Sequence, residues 1–184
     1  MSGTSILSRL LCLLLSAALA LGATQAAAAV RITFYSKEFG TSFPHAFVVL
    51  EGRLDQGGEP IADNYGFTAK SVTPAILMGA VKGEIVSHDK DDYVRKSDKH
   101  FTFTISDGEY ERVMERVNAW RHAPQPSYDL NRRNCVHFVA EVAAILGMHA
   151  DTSRLMKKPR SYLEALTRAN LQWLQGRSAI FHRD

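Results

Sequence analysis

Cysteine is almost missing from this chain. Of 184 residues only Cys12 and Cys135 are cysteines. Cys12 lies in an N-terminal apolar stretch that reads as a removable leader, so the remaining chain keeps one thiol and forms no intramolecular disulfide. A single thiol in an oxidising compartment is a liability unless it is buried or used. Charge of one sign is missing too. The chain has 22 basic and 19 acidic residues, a net charge of +3, and the leader removes only Arg9 from that balance. So mild an excess argues against nucleic acid as a partner. Long apolar runs are also lacking. Leu10 to Gly22 is too short to span a bilayer comfortably, and Ser161 to Leu174 is short and carries Glu164 and Arg168. No integral membrane segment is expected after leader removal. No H-x-x-x-H or C-x-x-C pair occurs and the histidines are scattered, so neither a metal nor another cofactor is expected. There is no internal repeat, no low-complexity segment after the leader, and no second domain.

What is present begins with a secretory pattern. Arg9 supplies a positive start, an apolar stretch follows, and Ala23 to Ala29 offers small residues for a signal peptidase. Cleavage is expected between Ala26 and Ala29. The protein is therefore expected to be exported, to the periplasm or the medium. The domain reading is a signal peptide over 1–29, a catalytic domain over 30–160, and a C-terminal helix and tail over 161–184.

The elements follow from period and punctuation. Val30 to Tyr35 alternates and is β-branched or aromatic, a first strand. His45 to Glu51 is a second, more hydrophobic strand, and Ile61 to Phe67 is a third. Turn residues between them suggest a hairpin. Ala75 to Val81 reads as one helical turn or a packed loop, and Gly83 to Ser87 as a short strand. The charged stretch His88 to Lys99 reads as a solvated loop. Phe101, Phe103 and Ile105 alternate with threonines in a one-faced strand. Ser106 and Glu109 form a capping-box signal before a helix that presents Val113, Val117 and Trp120. Ser161 to Leu174 reads as a helix packing through Leu163, Leu166 and Trp173, and His182 as part of a tail.

Asn131-Arg132-Arg133-Asn134-Cys135-Val136-His137-Phe138-Val139 is the informative stretch. Asn134 is a good N-cap. Val139, Val142 and Leu146 recur at helical spacing, and Gly147 suits the C′ stop. A thiol in the first turn faces backbone N–H groups and the positive end of the helix dipole, which draw it towards thiolate. A thiolate nucleophile needs a base, and at neutral pH that base is a histidine. His137 sits about 200° round the helix from Cys135 and does not face it. His122 lies past a helix end, where a structural role against the dipole suffices. His45, at the start of a strand directly after Pro44, has a rigid mount from which to face the thiol. Tyr35 and Ser42 are candidates for lining the cleft.

His45-Ala46-Phe47-Val48-Val49-Leu50, followed far downstream by Asn134-Cys135-Val136-His137-Phe138-Val139, resembles the circularly permuted branch of the NlpC/P60 papain-like superfamily. The N-C-x-H-F-V string is similar to that of the lecithin:retinol acyltransferase-like group. The resemblance runs from about Val30 to Leu146 and is sharp over a dozen residues. It implies an α+β, papain-like fold, in which an antiparallel sheet packs against a Cys-bearing helix. It also implies Cys135 as nucleophile, His45 as general base, and a third polar residue on the next strand that orients the imidazole. Asn64 and Asp63 are the candidates there. They project to opposite faces, so only one can point at His45. The group's acyltransferase-like members often carry a His at this place; this chain does not, and its turn before that strand is longer.

The chemistry then expected is attack of the Cys135 sulfur on an acyl carbonyl. A thioester forms, His45 protonates the leaving group, and water or another acceptor releases the acyl group. Three functions fit. The first is an exported cysteine amidase or endopeptidase acting on cell-wall peptide. The second is an acyltransferase or lipid hydrolase. The third is an exported binding module whose Cys135 is inert, buried and distant from His45.

Overall fold

The computed structural model describes residues 29–38, 43–87, 91–151 and 155–182. The leader up to residue 28, Ser42 and His88 lie outside the described residues. The described strands are β1 (Val30–Lys37), β2 (His45–Gly52), β3 (Ile61–Ala69), β4 (Gly83–Val86), β5 (Asp98–Ile105) and β6 (Ile180–Phe181). They form one antiparallel sheet in the order β4-β3-β2-β1-β5-β6. The described helices are α1 (Asp91–Arg95), α2 (Asp107–Arg121), α3 (Cys135–Ile145), α4 (Pro159–Ala169) and α5 (Leu171–Gly176). The protein is thus a mixed α/β fold in which helices cover an antiparallel sheet. Among the described residues no helix is long and apolar enough to cross a membrane.

Alternation along the strands decides the layers. Val30, Ile32 and Phe34 of β1, Ala46, Val48 and Leu50 of β2, Tyr65 and Phe67 of β3, and Phe101, Phe103 and Ile105 of β5 bury one face against α2, α3 and α4. The opposite face carries Tyr35, Phe47 and Val49, on which Tyr93 and Val94 of α1 pack. The first six residues of β2 are therefore all buried, which is why His45 to Leu50 reads as a nearly continuous apolar run rather than an alternation. This also corrects the reading of a solvated loop for its described part, residues 91–99. Asp92 pairs with Arg95 and Lys96 on its exposed side, while Tyr93 and Val94 turn inward.

Helix α3 is the central element. Val136, Phe138, Val139, Ala140, Val142 and Ala143 are all buried, so it is covered on more than the single face its period suggests. The helix starts on Asn134, whose Oδ1 accepts from the N–H groups of Val136 (2.8 Å) and His137 (3.3 Å). His137 completes a capping box, its Nδ1 accepting from the Asn134 N–H. Gly147 ends the helix at φ +93°, a conformation that costs other residues a Cβ clash.

Two features of the C-terminal third differ from the sequence reading. The helix expected over 161–174 is broken at Asn170. There the side-chain amide binds the Leu166 and His149 carbonyls and accepts from the His149 N–H, joining the end of α4 to the loop after α3. The segment after it is not a loose tail. Leu174 joins Tyr162, Leu163 and Leu166 of α4 in the main core, and β6 adds to the sheet edge, where His182 Nε2 meets Thr102 Oγ1 at 3.0 Å. Of the two readings of residues 75–81, the structure has the helical turn, a 3-10 turn over Pro74–Leu77, with Leu77 and Met78 81% and 89% exposed.

Asn134 offers a direct test of this architecture. Besides capping, its Nδ2 donates to the carbonyls of Leu130 (2.8 Å) and Met156 (2.7 Å). Asn134→Ala removes the cap and orphans two carbonyls, so urea denaturation should show a loss of about 2–4 kcal/mol. Asn134→Asp keeps the acceptor and loses both donors, and should fall between the two. A loss below about 0.5 kcal/mol in Asn134→Ala would contradict this account.

Candidate active site

Cys135 opens α3 and is 6% exposed. The backbone amides of Ala46, Val136 and Cys135 itself act on its sulfur, and each favours the thiolate. Burial acts the other way and wins, pushing the thiol up to about 11. The expectation that the helix start draws Cys135 towards thiolate is therefore corrected. The amides are in place, but desolvation outweighs them, and the resting group is a neutral thiol at pH 7.

The amide of Ala46 brings the two motifs together, because Ala46 follows His45. The β2–β3 ladder runs from Gly52↔Ile61 to Phe47↔Gly66. His45 and Ala46 pair only with β1, opposite Lys37 and Ser36. Cys135 thus meets β2 at its start, where β3 no longer pairs with it. The His45 side chain is buried on the Phe47 face of the sheet, its ring stacked on Phe47 at 6.0 Å with 15° between planes. A Cβ built on Gly66 would lie 2.3 Å from His45 Nε2, so the ring occupies space that only glycine leaves open. Tyr93, on the same face 5.6 Å from the Phe47 ring, is pushed up to about 12, mainly by burial and then by the negative charge Cys135 would carry. The Tyr128 phenol is raised by the same two causes in the same order. A charge on Cys135 is thus felt on both sides of the sheet end.

The two candidates for orienting His45 separate by face. Asn64 lies opposite Val49 and Gly66 opposite Phe47, so Asn64 shares the imidazole's face. It is the next side chain on that face of β3 beyond Gly66, about 7 Å along the strand. Asp63 lies opposite Leu50 on the main-core side, where its carboxylate hydrogen-bonds Tyr65. That face turns Asp63 away from His45. Tyr35 stacks on Phe47 at 5.1 Å and lines the same side as His45.

Three of the other described histidines have structural surroundings. His137 caps α3, and burial lowers its pKa. His122 ends α2, with Nδ1 3.0 Å from the Asn118 carbonyl. His100 Nε2 lies 2.8 Å from Ser36 Oγ, both side chains buried. Sequence reasoning missed that pair, as well as the placement of Tyr93 and Tyr128. His100 lies inside β5, just before its alternating Phe101–Ile105 run, at the point where the register of β1 against β5 shifts. Among the described residues no group of three or more His, Cys, Asp or Glu is gathered in a way that would hold a metal ion. Comparison of the chain with protein-family models, with curated proteins and with solved structures finds no match in any of the three.

Two predictions follow from this geometry. Gly66→Ala should displace the His45 ring with little loss of fold, visible as a shift of the His45 ring NMR signals while the far-UV circular dichroism stays unchanged. Unmoved His45 signals would contradict the close approach. The buried thiol should also make stability depend on pH. An unfolded cysteine ionises near 8.5, the folded one at about 11. Between these values the unfolded state binds fewer protons, so stability fully present below about pH 8.5 is lost as pH rises towards 11. Denaturation of the protein and of Cys135→Ala across pH 8 to 11 isolates this effect. The wild-type protein should lose more, by a few kcal/mol; parallel curves would refute the buried thiol.

Proposed function

We propose that the protein is an exported cysteine hydrolase that cleaves an amide bond through a Cys135 thioester, with cell-wall peptide as the substrate class. The observation that carries this reading is the convergence of three backbone amides on the Cys135 sulfur, one of them from the residue beside His45. Amides aimed at a reacting atom are what an acyl-transfer site needs, because they stabilise charge that develops on sulfur or on the carbonyl oxygen. The motif resemblance adds the assignment of His45 as the base, and the leader pattern adds export.

The raised thiol shapes the mechanism. A group held at about 11 does not ionise on its own at neutral pH, so His45 removes the Sγ proton as the carbonyl is engaged. The sulfur then attacks the carbonyl carbon, and the amides of α3 receive the oxyanion. His45 returns the proton to the departing amine, leaving an acyl group on Sγ that water removes. Asn64 is the side chain assigned to hold the imidazole in line.

The burial of Cys135 is the observation that favours the inert binding module instead. One experiment decides between the two. The purified protein, Cys135→Ala and His45→Ala are incubated with digested cell-wall peptide and, separately, with phospholipid vesicles. New amines and the mass of the intact protein are followed. The hydrolase reading expects amine release from the peptide, a transient acyl adduct on Cys135, no turnover in Cys135→Ala, and a fall of about 10²–10⁴-fold in His45→Ala. An adduct formed only with vesicles moves the function to the acyltransferase or lipid-hydrolase type. Absence of any adduct, or activity that survives Cys135→Ala, overturns the catalytic reading.

A further inference from the structure

Arg133 precedes the nucleophile by two residues, and among the described residues its guanidinium is set against aromatic rings rather than a carboxylate. Its guanidinium lies 3.9 Å from the centroid of Trp120, with the Phe67 ring centroid 5.7 Å away. Its Nε is buried and makes no hydrogen bond. The nearby acids are committed elsewhere. Glu141 takes Arg116 at 3.1 Å and the Trp120 indole N–H at 2.8 Å. The Asp129 carboxylate accepts from the backbone N–H groups of Asn131 and Arg132. Among the described residues, Arg31, Arg95, Arg116, Arg160 and Arg177 each have a carboxylate partner, whereas Arg133, like Arg121 over Tyr65, lies over an aromatic ring, and at 3.9 Å more closely.

The position is fixed from both ends. The Arg133 main chain exchanges two hydrogen bonds with Asp129, at 2.8 and 2.9 Å. Asn134, between Arg133 and Cys135, is extended at φ −130° and ψ −172°. The Cα atoms of Arg133 and Cys135 are therefore at most about 7 Å apart. Asn134 turns back to cap the helix that Cys135 opens. With Nε covered, the part of the guanidinium left to bind is its pair of terminal nitrogens, which match a carboxylate bidentately. The stack on Trp120 holds that fork in one orientation, so little side-chain freedom is lost on binding.

We propose that Arg133 is the specificity residue of the site, seating a free carboxylate of the substrate beside the bond that Cys135 attacks. The inference rests on the reading of Cys135 as a nucleophile, and it narrows the substrate to amides that carry a carboxylate a few bonds from the scissile carbonyl. Arg132, exposed and next in sequence, serves as a charge control.

The test compares alkylation of Cys135 by iodoacetylglycine, which is anionic, with alkylation by its neutral amide, iodoacetylglycinamide. Mass spectrometry follows the adduct in the wild-type protein, Arg133→Gln, Arg133→Lys and Arg132→Gln. The anionic reagent should be favoured about tenfold in the wild-type protein relative to Arg133→Gln, with the neutral reagent's rate the same in both. Arg132→Gln should keep the wild-type ratio. Arg133→Lys, which keeps the charge and loses the fork, should give an intermediate ratio, and it carries the test if Arg133→Gln does not fold. A ratio that is unchanged in Arg133→Gln, or that falls as far in Arg132→Gln, overturns the inference and leaves the nucleophile reading standing. A folded protein whose Cys135 reacts with neither reagent removes the nucleophile reading, and this inference with it.

Discussion

The side-chain amide of Asn134 is the constraint on which the rest of the structure depends. It is buried, and it makes four hydrogen bonds to backbone groups of three different segments. Two satisfy the first turn of α3, one holds the approach at Leu130, and one holds Met156 just before α4. A buried amide used this fully fixes direction as well as energy, since any shift of one segment leaves a polar group unpaired. The start of α3 is thereby pinned to the start of α4, and Cys135 is held against the first residues of β2.

Around the sulfur two effects of opposite sign compete. Three backbone amides favour the anion; removal from water disfavours it, and the result is a thiol near 11. Helix-terminus effects are worth about 0.3–1 kcal/mol at exposed positions, whereas desolvation of a fully buried group moves a pKa by as much as 3–5 units. The order of magnitude alone explains which wins. It also separates two roles of the amides. They do little for the resting thiol, but they are already oriented for negative charge when it forms, with no reorganisation at that moment.

The sheet places the imidazole by a different rule. His45 lies on the face away from the main core, and its ring has room because Gly66 has no side chain. That face is closed by α1 through Tyr93 and Val94. The two halves of the site therefore come from different layers. The thiol comes from the helix layer, against the Ala46 amide, and the imidazole lies on the far side of the sheet, both at the start of β2 before the β2–β3 ladder begins at Phe47↔Gly66.

Local patterns in the sequence were enough to determine five of the strands, the Ser106–Glu109 and Asn134 caps and the Gly147 stop. Each of these rests on interactions within a few residues: side-chain alternation, N-cap hydrogen bonds, a glycine at positive φ. Tertiary structure alone decided the rest. Charges on Asp92, Arg95 and Lys96 masked the short helix α1, whose Tyr93 and Val94 matter only because β1 and β2 present an apolar second face. Strand β6 exists because β5 offers an edge, and the helix break at Asn170 because His149 offers backbone groups to its amide. The separation of Asn64 from Asp63 waited on strand register, which sets faces only once a partner strand is in place. The state of Cys135 was likewise out of reach, since a helix start can be read locally but burial is a property of everything packed around it.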